Sequence, residues 1–68
     1  MNNYADTKLY AATFEKLDKN NKMFRARNDY GAKVRAVKIS VENGYGKILR
    51  IYELNDATLK IKRAATRV

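Results

Sequence analysis

Apolar and polar positions alternate in several short runs along this chain, and each such run predicts a half-buried β-strand. In Met23-Phe-Arg-Ala-Arg27, Phe24 and Ala26 fall on one side while Arg25 and Arg27 fall on the other. In Thr58-Leu-Lys-Ile-Lys62, Leu59 and Ile61 alternate with Lys60 and Lys62. Two longer runs rich in β-branched residues, Lys33 to Val41 and Lys47 to Leu54, flank Asn43-Gly44. That dipeptide suits the positive-φ positions of a type I′ turn, so the two runs are expected to pair as a hairpin. With Gly46 as a bulge, Ile39 falls opposite Leu49, Val37 opposite Ile51 and Arg35 opposite Glu53, and Tyr52 lies beside Ala36. A slip by one residue would scramble the buried face, so the bulged register is preferred.

Asp29-Tyr30-Gly31 reads as a turn into the Lys33–Val41 strand, and Asn55-Asp56-Ala57 as a break before the last one. Residues 7–19 fit two readings. Asp6 or Thr7 caps a helix carrying Tyr10, Phe14 and Leu17 on one side and ending near Asn20-Asn21. Alternatively, Tyr10, Ala12 and Phe14 alternate along a strand, and Asp18 to Asn21 is a hairpin loop. The expected fold is all-β, a small five-stranded barrel of OB-like or SH3-like form. The alternative is α+β, with an N-terminal helix packed on a three- to four-stranded antiparallel sheet. Residues 1–6 and 64–68 are expected to fray.

Length and composition narrow the function. Sixty-eight residues make a single domain near the lower limit for folding without a staple. With no Cys and no His, disulfides and zinc sites are excluded, and so are a thiol nucleophile and the commonest general base. The seven carboxylates are scattered, and Gly44-Tyr-Gly46 is a turn signal rather than a phosphate loop. The chain is therefore expected not to be an enzyme and to need no cofactor and no metal. No stretch is apolar enough to cross a membrane, and Met1–Asp6 is too polar for a signal peptide, so a cytoplasmic location is expected.

Charge points toward a partner. Fifteen Lys and Arg against seven Asp and Glu give +8, a field that attracts polyanions. Between Lys19 and Lys38 there are seven cations and one acid, Asp29. In the barrel reading Arg25, Arg27, Arg35, Lys38 and Arg50 point outward, joined by Lys60 and Lys62 of the last strand, while Phe24, Val37, Ile39, Leu49 and Ile51 point inward. Tyr52 is the first candidate for stacking on a base, followed by Tyr30 and Tyr45 at turn tips. Phe14 and Phe24 belong to the core. The expected function is non-catalytic binding of nucleic acid, RNA in preference to DNA, or single-stranded nucleic acid. The alternative is a small inhibitor or adaptor, of the kind mobile elements encode, docking on an acidic protein surface. The bland alternative is a basic surface kept only for solubility.

Asn21-Lys-Met-Phe-Arg25, followed by Gly31, Val34, Ala36, Ile39 and Ser40, resembles bacterial translation initiation factor one. Glu15-Lys16-Leu17 is similar to that family's first strand, and Lys47, Ile48, Arg50 and Ile51 to its stretch after the third. The likeness spans Ala11 to Ile51. It implies a five-stranded barrel of the S1 type, a first segment that is a strand, and binding to the small ribosomal subunit through ribosomal RNA.

Overall fold

The computed structural model describes residues 6–17 and 21–65. Strands β1 (Lys8–Phe14) and β2 (Asn21–Ala26) are followed by helix α1 (Asp29–Asn43), then by β3 (Ile48–Leu54) and β4 (Ile61–Ala64). The strands form one antiparallel sheet in the order β2-β1-β3-β4, with α1 packed on one face. The fold is thus α+β in two layers, and the sheet remains open instead of closing into a five-stranded barrel. It matches the α+β alternative in class, but the helix is not the N-terminal one envisaged there. Residues 8–14 form the strand in which Tyr10, Ala12 and Phe14 alternate inward. The remainder of the expected 18–21 loop, residues 18–20, lies outside the described residues.

The largest correction concerns 29–43. The hairpin expected about Asn43-Gly44 does not form, because its first arm is α1. Asn28 opens the helix from an extended backbone, and its Oδ1 accepts the Gly31 N–H at 2.7 Å. Asp29-Tyr30-Gly31, expected as a turn, is its first turn. Gly44 closes it in the left-handed region at φ 68°, with its N–H bonded to Ser40 O. A type I′ turn and a left-handed helix cap both require positive φ, so the same dipeptide signals either.

Helix α1 turns its small residues, Ala32, Ala36 and Ser40, onto the sheet. Their size lets the helix approach closely, and the bulk of the core comes from the strands: Tyr10, Phe14, Phe24 and Ile51, with Ala12, Ala26 and Ala65. Tyr10 and Phe24 stack with centroids 6.2 Å apart, and Tyr45 leans on Phe14 at 5.3 Å. Val37 and Leu49, expected inside, are each 46% exposed, whereas Phe24 and Ile51 are buried as expected and Ile39 is half-buried. Of the residues expected to fray, Ala64 ends β4 and Ala65 is buried, its N–H bonded to Ile51 O at 2.8 Å, while residues 1–5 and 66–68 lie outside the described residues.

Candidate nucleic-acid interface

Among the described residues, no second layer covers the sheet face turned away from α1. Residues paired across strands share a face, so the register lays out three rows. Arg25, Leu9, Leu54 and Ile61 form one, and Met23, Ala11, Tyr52 and Ala64 the next. Asn21, Thr13 and Arg50 form the third. Tyr52 is therefore flanked by two alanines, Ala11 on β1 and Ala64 on β4, and is half-buried between them. The expected neighbour Ala36 is on α1, in the opposite layer.

Beside Tyr52 runs a groove of about 540 Å³ lined by Met23, Leu54, Leu59, Lys60 and Ile61. Leu59 holds a backbone φ of 62°, a left-handed conformation that disfavours a side chain with a Cβ. Hydrogen bonds hold it there: Leu59 N–H to Asn55 O at 2.7 Å and Asn55 N–H to Lys60 O at 2.8 Å. The Asn55 side chain accepts the Ala57 and Thr58 N–H groups, which fixes the break expected at 55–57 as a compact turn. Leu59 and Ile61, expected to be half-buried, are left more than half exposed at the groove rim.

The eight candidate binding residues divide between surfaces. Arg50, Tyr52 and Lys60 share the open face, and neither cation has an ion-pair partner among the described residues. Arg25 is on that face too, but it is engaged: Nη1 lies 2.9 Å from Asp56 Oδ1, and Nε donates to Thr7 Oγ1 at 2.8 Å. The guanidinium holds the Asp56 carboxyl below its ordinary range. Arg27, in the β2–α1 connection, and Arg35, on α1, line a second hollow of about 510 Å³ with Tyr30 and Val34. Lys38 is exposed on α1. Lys62 turns to Glu53, Nζ to Oε2 3.6 Å, so it does not extend the open face. Arg35 does not meet Glu53, which pairs with Tyr10 on one side and Arg63 on the other. Of the other tyrosines, Tyr30 is exposed on the first turn of α1, and Tyr45 is packed on the core beneath Lys22.

A polar cluster on the helix side of the sheet was not apparent from the sequence. The buried Tyr10 hydroxyl donates to Asp29 Oδ1 at 2.9 Å, and Arg63 grips the same carboxylate with two nitrogens at 2.8 and 2.9 Å. Arg63 Nε also lies 3.0 Å from Oε1 of the buried Glu53. Burial, then the bond to Asp29, pushes the Tyr10 hydroxyl up to about 12, while Arg63 holds Asp29 low. The cluster ties the start of α1 to three strands. The one signal for it was an acid, Glu53, inside an apolar strand, which demands a cationic partner.

No helix among the described residues is long and apolar enough to cross a membrane. No protein family, curated protein or solved structure matches the chain.

Proposed function

We propose that this chain is a non-catalytic nucleic-acid-binding protein that takes a single strand, RNA in preference to DNA, on the open face of its sheet. The observation that carries the reading is Tyr52 set between Ala11 and Ala64, with Arg50 in the next row and Lys60 beside the groove. Two small neighbours leave the ring face clear for a base, and the unpaired cations lie where a phosphate backbone would pass. The groove along Met23, Leu59 and Ile61 offers an apolar wall for the next base. The net charge of +8 supplies the long-range attraction.

Tyr52→Ala tests this. It should weaken binding of a single-stranded RNA by roughly 1–3 kcal/mol with little change in salt dependence, because it removes a stacking surface and no cation. Tyr52→Phe should bind like the parent, and a DNA strand of the same sequence should bind more weakly. Parental affinity in a folded Tyr52→Ala protein would rule the site out.

A further inference from the structure

Helix α1 is built inside out. Its sheet-facing side carries Ala32, Ala36 and Ser40, with Ile39 half-buried against the core, while Tyr30 and the three valines face away from the sheet. Tyr30, Val34, Val37 and Val41 recur at i, i+4, i+7 and i+11, and at 100° per residue they fall on one stripe on the outer side. They are 77%, 50%, 46% and 76% exposed. The core does not require them, and β-branched residues on an exposed helix are a cost to the helix itself. Spacings alternating between four and three are those of a helix that seats its apolar seam against another helix.

The charges beside the stripe say what kind of helix. Lys33 lies on one flank and Lys38 on the other, both exposed and without an ion-pair partner among the described residues. A second copy of α1 is a poor fit. Paired parallel, Lys33 of one copy meets Lys38 of the other, and paired antiparallel, the Lys33 flanks face each other and the Lys38 flanks likewise, so either arrangement opposes like charges. A nucleic acid would use the lysines but not the valines between them. A membrane surface calls for a broad apolar face, whereas this stripe is narrow, with lysines close on both sides.

We propose that the outer stripe of α1 is a docking site for an amphipathic helix of another protein, one whose apolar seam is flanked by Glu or Asp. The seam covers Tyr30, Val34, Val37 and Val41, and its acids meet Lys33 and Lys38. This surface lies in the opposite layer from the open sheet face, so the site and its partner are independent of the nucleic-acid reading.

The test uses the full chain, isotopically labelled, and a helix-stabilised peptide with Leu at every a and d position and Glu at every e and g. The peptide should shift the amides of α1 between Tyr30 and Val41 and leave β3 and β4 unmoved. A matching peptide with Lys at e and g should bind roughly tenfold more weakly or worse. Val37→Ser with Val41→Ser should also lower affinity by about tenfold while the spectrum stays folded, since both side chains are solvent-facing. Lys33→Glu with Lys38→Glu should invert the preference, taking the Lys-flanked peptide over the Glu-flanked one. Failure of the Glu-flanked peptide to bind, or its binding on the sheet, would overturn the proposal. So would the same α1 shifts appearing with single-stranded RNA, with anionic lipid vesicles, or on raising the protein concentration alone.

Discussion

Arg63 on β4 reaches Glu53 on the adjacent strand with Nε 3.0 Å from Oε1, and it holds there a carboxylate that is otherwise buried. A buried charge whose partner is removed is left uncompensated, which is costlier than never having had the pair. Arg63→Met should therefore lower the urea midpoint clearly more than Lys62→Met, because Arg63 also grips Asp29 and Lys62 lies farther from Glu53. Equal midpoints for the two variants would show that the cluster contributes no more than surface charge.

The same cluster sets limits at both ends of the pH scale. Asp29 is held below its ordinary 3.8, chiefly by Arg63, so its contribution is complete above that pH and is lost as pH falls through the lower folded value. Tyr10 is raised from 10.0 to about 12, so its contribution is complete below pH 10.0 and is lost as pH rises toward 12. Stability measured by urea unfolding should decline outside these bounds. Tyr10→Phe should cost about 1 kcal/mol at neutral pH and should flatten the alkaline decline. An alkaline decline unchanged in Tyr10→Phe would assign it to other groups.

Helix and hairpin make opposite demands on two adjacent residues. Ala36 is fully buried against the sheet and Val37 is half-exposed on the outer side. Ala36→Asp should unfold the domain, since it buries an unpaired carboxylate. Val37→Asp should stay folded and cost no more than about 1 kcal/mol. Circular dichroism and thermal melting of the pair decide it, and a folded Ala36→Asp would contradict the packing of α1.

These two residues also show why part of the fold was legible and part was not. Strand β2 follows from strict alternation, with Phe24 and Ala26 inward as the pattern indicates, whereas Tyr10, Ala12 and Phe14 fitted a helix as well as the strand β1 that forms. The segment from Lys33 to Val41 misleads because its conspicuous residues, the valines, are the ones facing away from the core. Its true inward signal is the faint one, Ala32, Ala36 and Ser40 four apart, capped by Asn28. Read by size, the run is a strand; read by its small residues, it is a helix. The candidate site fared similarly. Arg50, Tyr52 and Lys60 converge, because two of them alternate on one strand and the third lines the groove beside it. Arg35 and Lys38 went to the other layer with the helix, while Arg25 and Lys62 turned to acids that only the fold brings near.

Salt dependence distinguishes the free cations from the engaged ones. Arg50→Glu and Lys60→Glu should each weaken RNA binding and reduce the log–log salt slope, by about 0.7 for each phosphate no longer neutralised. Lys38→Glu, on the far layer, should change the slope much less. Equal slopes for all three would mean that net charge alone governs binding and that no organised face exists.

The strand order carries a consequence for how the chain folds. β2 pairs with β1 at close range, but the other side of β1 is filled by β3, with Leu9 against Leu54. The whole of α1 must be spanned before that second pairing closes, so the entropic cost falls late and the first hairpin gains little until it is met. Ala65 then completes the face that holds Tyr10, Ala12 and Phe14. A chain emerging from the ribosome would therefore hold these side chains open to water until β3 and Ala65 arrive. Folding is in this sense timed by the arrival of β3, and a chain cut before it would leave Tyr10, Ala12 and Phe14 exposed in a form prone to aggregate.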